Sequence, residues 1–189
     1  MTRLRARPLT AAAFDPFGDV LEAAGTPDRL INEGRCARYH DLAGLDIETG
    51  RAGVSLFVAQ LQSMPVEITL LERHPLGSQC FVPMGGARYL VVVAPDAGGI
   101  PGAPVAFLAR GDQGVNYHRN VWHAVLTPVS GGGLFAVIDR IAAPLRGGQP
   151  GSASLTQSSM GSAQPGRVQA IDANLEEYRL DVPVIVAAS

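Results

Sequence analysis

Apolar residues in this chain come in short runs. They cover residues 54–60, 66–72, 89–94, 105–109, 121–127 and 134–139, with Gly, Pro, Asn and Asp spread between them. Runs of this length, closely spaced and separated by turn residues, predict strands of an all-β sandwich or barrel. No long 3.6-residue periodicity competes with them. The pattern predicts only a few short helices. One covers Ala11 to Phe14 behind an N-cap at Thr10, and a second lies around residues 175–178. Residues 147–166, "GGQPGSASLTQSSMGSAQPG", carry no charge and are built mostly from Gly, Ser, Pro and Gln. Such a stretch buries too little apolar surface to offset ordering, and it reads as a flexible insertion. The sequence turns structured again after it, at "NLEEYRLDVPVIV".

Two polar interruptions of the apolar runs carry the candidate chemistry. On a regular strand alternate residues share a face. In "VEITLLERH" this places Val66, Ile68 and Leu70 on one face with Glu72 and His74. In "NYHRNVWHAVL" Val121, His123 and Val125 share a face, while Trp122, Ala124 and Leu126 look the other way. Each histidine then stands on an apolar stripe, as a hydrogen-bonded core histidine or as a ligand of a metal or substrate. His118 and Asn120 have the opposite parity and join His123 only if the chain turns between Asn116 and Val121.

Length and composition narrow the functional classes. The 189 residues suit a single domain spanning 1–189. The formal net charge is −2 and charged residues are 17% of the chain, without the basic patch of a nucleic-acid binder. Arg3, Arg5 and Arg7 read as a solvated end. The longest apolar runs are far too short for a membrane span, and Asp15, Pro16 and Gly18 interrupt any secretory h-region. Cys36 and Cys80 do not make a disulfide framework. A cytoplasmic, reduced protein is the expectation, with no nucleic-acid or membrane partner.

The two polar stretches together resemble the cupin pattern, which implies a double-stranded β-barrel, or jelly roll. Glu72 and His74 stand where the pattern has His-x-His, Gln79 where it has Glu, and Pro83 and Gly85 follow. His118-x-Asn120-x-x-His123 replaces Pro-x-Gly-x-x-His. Only His74 and His123 keep the ligand type. The strings "ARYHDL" (37–42), "LERHPLGSQCFVPM" (71–84), "LVVVAPD" (90–96), "QGVNYHRNVWHAVL" (113–126) and "FAVIDR" (135–140) resemble the ureidoglycolate lyases, also called ureidoglycolate hydrolases. The resemblance runs from "FDPFGDVLE" to "NLEEYRLDVPV", and the insertion is the main departure.

The resemblance implies that (S)-ureidoglycolate is split into glyoxylate and urea during purine degradation through allantoin. That elimination needs a base for the hydroxyl proton and an acid for the departing nitrogen. Glu72, His74, His118 and His123 are the catalytic candidates, with Gln79 beside them. Arg38 is the candidate clamp for the substrate carboxylate. Asn32, Tyr39 and Tyr117 are candidates for the urea or hydroxyl groups. Arg73 and Arg119 flank inward positions and are less suited. Glu72, His74, Gln79 and His123 form the candidate metal set, whose donor types suit nickel, zinc, manganese or iron. The resemblance favours nickel, with zinc, manganese or no metal as alternatives, and implies a homodimer. A small-molecule-binding cupin without turnover and a metal-dependent dioxygenase or isomerase are the competing readings.

Overall fold

The computed structural model describes residues 2–142, 166–168 and 174–188, with backbone alone at 166–168. Apart from Gly166, the insertion at 147–166 lies outside the described residues. The chain begins with β1 (Thr2–Arg5), β2 (Arg7–Pro8) and α1 (Ala11–Phe14). Thr10 caps α1 by accepting a hydrogen bond from the Ala13 N–H at 3.3 Å, and the single turn buries Phe14. Next come β3 (Gly18–Leu21) and an exposed hairpin of β4 (Arg29–Ile31) and β5 (Cys36–Arg38). The main strands are β6 (Arg51–Val58), β7 (Val66–Arg73), β8 (Gln79–Pro83), β9 (Arg88–Ala94), β10 (Val105–Ala109) and β11 (Gly114–Tyr117). After them come β12 (Trp122–His123), β13 (Thr127–Ser130), β14 (Leu134–Ile141), β15 (Gly166–Val168) and β16 (Glu176–Ala187).

Nearly all the regular structure is β, as the short runs predict. A nine-stranded sheet follows the path β1-β16-β7-β12-β9-β10-β2, with β13 on β9 and β15 on β16. A five-stranded sheet has the order β3-β11-β8-β14-β6. Their inner faces meet in a cupin-like barrel, where Phe81, Val115, Phe135 and Val137 pack with Tyr89, Val91, Val93 and Phe107. A second core covers the outer face of β9, where Leu90, Val92 and Ala94 pack with Trp122, Leu71, Ile68 and Val184. β9 is therefore buried on both faces from Tyr89 to Ala94.

Three sequence expectations change. Residues 175–178 are not helical, because Glu176 to Arg179 pair with Arg73 to Leu70 and that ladder overrides local helix propensity. The run at 121–127 divides into β12 and β13. Trp122 pairs with Ala94 but Thr127 with Leu90, a slip of one residue that re-aims the side chains between them. The third concerns β7. Its register against β16 jumps between the pairs Arg179–Leu70 and Val184–Ile68. Val66 and Ile68 share the outer core with Leu71, so the alternation breaks inside β7. Glu72 consequently faces the barrel interior, opposite to the face of Val66 and Ile68.

Candidate functional site

β7 and β12 lie side by side with His123 paired to Glu72. Glu72, His74 and His123 each offer one ligand atom, all within 4.8 Å of one another. His123 Nε2 stands 3.5 Å from Glu72 Oε1, too long for a formed hydrogen bond. The two imidazoles are 5.3 Å apart between centroids, and Tyr117 stacks on His123 at 4.2 Å. Trp122 turns away from them, as alternation predicts, into the outer core.

The backbone sets the tautomer of both histidines. His74 Nδ1 lies 2.7 Å from the Asn174 carbonyl oxygen, and His123 Nδ1 lies 3.0 Å from that of Val121. A carbonyl oxygen can only accept, so each Nδ1 carries the proton and each Nε2 is left with its lone pair. Both Nε2 atoms are buried without a hydrogen-bond partner among the described residues. Two inward lone pairs and a carboxylate make a donor set that fits a divalent transition metal. Burial pushes the Glu72 carboxyl up, but the adjacent His123 and His74 outweigh it and hold the group below the ordinary glutamate value. Burial, and then His123, lower the His74 pKa, which keeps that ring neutral. Burial and the Glu72 charge raise the Tyr117 phenol, so it stays protonated.

Gln79 pairs with Tyr117 across β8 and β11 and belongs to the same inner row. Its Nε2 lies 3.5 Å from Asp139 Oδ2, and its Oε1 is buried without a partner among the described residues. A cavity of about 670 Å³ reaches Glu72 past Phe81, Leu126, Phe57 and Leu56.

The other candidates are placed elsewhere. The chain does turn before Val121, with Asn120 at φ 67°, yet His118 leaves the triad and its Nε2 meets Asp19 Oδ1 at 3.2 Å. Tyr39 lines an apolar cavity with Leu21, Cys80 and Ile138 on the outer face of the five-stranded sheet. Arg38 is exposed one residue before it, with Nη2 donating to His40 Nδ1 at 2.8 Å. Asn32 sits in the turn of the same hairpin at φ 53°. Arg73 is held by Asp96 and Glu176 over the Trp122 ring, and Arg119 by Asp46 and Glu48. Asn174 and Glu177 do stand at the site, though sequence reasoning did not select them. Glu177 pairs directly with Glu72 from β16 and is 9% exposed. The acidic pair in "NLEEYRL" was a possible signal, hidden by the helical reading of that stretch.

Barrel and triad together define a cupin-like protein with a two-histidine, one-carboxylate centre. Residues 1–146 match the family model of the ureidoglycolate lyases. A ureidoglycolate lyase of Rhodobacter capsulatus is 48% identical over 187 residues, 98% of this chain and 99% of that one. One from Brucella melitensis is 51% identical over 139 residues, covering 72% and 82% of the two chains. One from Rhizobium etli is 51% identical over 136 residues, covering 71% and 82%. The chain belongs to the ureidoglycolate lyase family.

Proposed function

We propose that this chain is an enzyme, a lyase that splits (S)-ureidoglycolate into glyoxylate and urea. Family membership supports the substrate. The observation that carries the chemistry is the convergence on the Glu72 carboxylate of two histidines whose Nε2 atoms have no partner among the described residues. In the reaction one C–N bond opens, a carbonyl forms, and one proton moves from the hydroxyl oxygen to the urea nitrogen. Glu72 is ionised at neutral pH and suits the acceptor of the hydroxyl proton, which it can return to the departing nitrogen. Gln79 offers an unpartnered oxygen to the urea N–H groups, and Tyr117 a phenol that remains a donor. His118, paired with Asp19 outside the triad, is proposed as an accessory proton carrier.

Glu72, His74 and His123, with Gln79 beside them, would hold a divalent ion. When bound, such an ion supplies Lewis-acid polarisation of the substrate's oxygens. Family resemblance favours nickel, with zinc or manganese as alternatives. The same resemblance leads us to assign the chain to allantoin breakdown in the cytoplasm, as a homodimer.

Incubating the purified protein with (S)-ureidoglycolate, with and without chelator, tests the reading. Equimolar glyoxylate and urea are expected, and His123→Ala should cut turnover roughly 10²–10⁴-fold, the usual worth of a positioned proton carrier. Activity lost to chelator and restored by nickel assigns the triad to metal. Activity indifferent to chelator assigns it to proton transfer alone. Ammonia and carbon dioxide in place of urea would mean hydrolysis of the ureido group and sink the lyase reading.

A further inference from the structure

The substrate proposed above carries a carboxylate, so its site calls for a fixed cation. Arg38 lies on the far side of the five-stranded sheet, with Tyr39 against the outer face. Arg73 has committed its guanidinium to Asp96 and Glu176, and Arg119 to Asp46 and Glu48. Arg110 is held by Glu22 and Asp112, and Arg140 by Thr49. None of these faces Glu72.

The strand on the other side of β7 supplies one whose ladder position shares the face of Glu72. In the β16–β7 ladder Glu177 stands opposite Glu72, and Arg179 opposite Leu70. Tyr178 and Leu180 pack into the outer core with Leu71. Glu177 and Arg179 between them therefore point to the inner side, as Glu72 does. Arg179 is thus the diagonal neighbour of Glu72 across the ladder. That relation puts Cα atoms ~7–8 Å apart, within reach of a long side chain. Arg179 Nε is buried and has no hydrogen-bond partner among the described residues. A buried guanidinium N–H without an acceptor is costly, and a carboxylate is the ligand that best matches the planar fork.

We infer that Arg179, presented by β16 beside Glu72, holds the carboxylate of the substrate. It is a binding residue supplied from beyond residues 1–146, the part that matches the family model. Substrates and inhibitors of this site should then be small α-substituted carboxylates, held by Arg179 at one end while the triad faces the carbon that breaks.

The inference rests on the lyase reading, and the experiment separates the two. Steady-state kinetics would compare Arg179→Gln, Arg179→Lys and Arg38→Ala with the unmodified enzyme. Arg179→Gln should raise KM roughly 10–100-fold, the range expected for lost charge-assisted hydrogen bonds, with kcat little changed. Arg179→Lys, which keeps the charge without the fork, should fall between. Inhibition by glyoxylate, which keeps the carboxylate, should weaken by the same factor, while inhibition by uncharged urea should not move. An unchanged KM in Arg179→Gln overturns the inference, and so does equal weakening of urea and glyoxylate. A raised KM in Arg38→Ala alone would pass the role to the hairpin. If the unmodified protein turns over no ureidoglycolate, the lyase reading fails, and glyoxylate titration calorimetry still decides the clamp. Binding to the unmodified protein but not to Arg179→Gln supports it. Equal binding to both, or binding to neither, overturns it.

Discussion

Asn120 stands in the left-handed region at φ 67°, and its N–H donates to the His74 carbonyl oxygen at 3.1 Å. This one residue turns the chain out of β11 so that His123 can enter the barrel, and it ties the two histidine segments together. Asn tolerates the conformation better than most residues, while a β-branched side chain costs about 1–2 kcal/mol there. Asn120→Gly should keep metal affinity and melting temperature close to normal. Asn120→Val should lower the melting temperature by several degrees and weaken metal binding, as read by thermal unfolding and nickel titration. Cys80 gives a second check at this scale. Burial, and then the Asp19 charge, push its thiol up to about 11. Cys36 lies on the surface. At pH 8 a thiol reagent should titrate Cys36 alone in the folded protein and both thiols in denaturant. The raised pKa also fixes a sign. As pH rises above the ordinary thiol value of 9.0, the unfolded chain releases this proton first, so stability should fall until about 11.

β16 is the element on which the site depends most. Asn174, just before it, accepts from His74 Nδ1 through its backbone oxygen and from the Leu76 N–H through its side-chain oxygen at 2.9 Å. Asn174→Ala leaves the Leu76 N–H unpaired, a loss of about 1–3 kcal/mol, and frees the carbonyl that orients His74. Urea unfolding should show that loss, and metal affinity should fall with it. Asn174→Asp, which keeps the acceptor, should restore most of both. The weight carried by this strand explains what was legible in the sequence. Strands such as 105–109 and 134–141 were readable because their apolar runs are local signals. His74, His123 and Glu72 were readable because polar groups on apolar stripes stand out. The face of Glu72 was not derivable by counting, since the register jump in β7 depends on pairing with a strand about a hundred residues away in sequence. Glu177 and Arg179 were hidden for the same reason: their stretch looks helical until β7 claims it. Arg38 drew attention by its motif, though the hairpin that bears it rests on the outer side of the barrel.

For the whole molecule, the exposed feature that stands out is β6. This strand closes the five-stranded sheet as an edge, with Val54, Leu56 and Val58 exposed by 74%, 64% and 81%. Among the described residues nothing pairs its outer edge, and an eight-residue edge with exposed apolar side chains invites pairing. It also borders the cavity that leads to Glu72. If the proposed homodimer uses this edge, Leu56→Lys with Val58→Lys should shift the mass measured by light scattering from dimer to monomer. The melting temperature should then become independent of protein concentration. A dimer that survives both charges would place the interface elsewhere.

β9 has the opposite situation, with a core on each face and paired strands along both edges. Its amide hydrogens cannot reach solvent by peeling one layer, because whichever side opens, the other still shields them. Local fluctuations that expose β6 or the hairpin leave them untouched. Exchange with deuterium along "LVVVA" therefore proceeds only when the barrel comes apart as a whole, and its rate reads the global unfolding free energy of the protein directly.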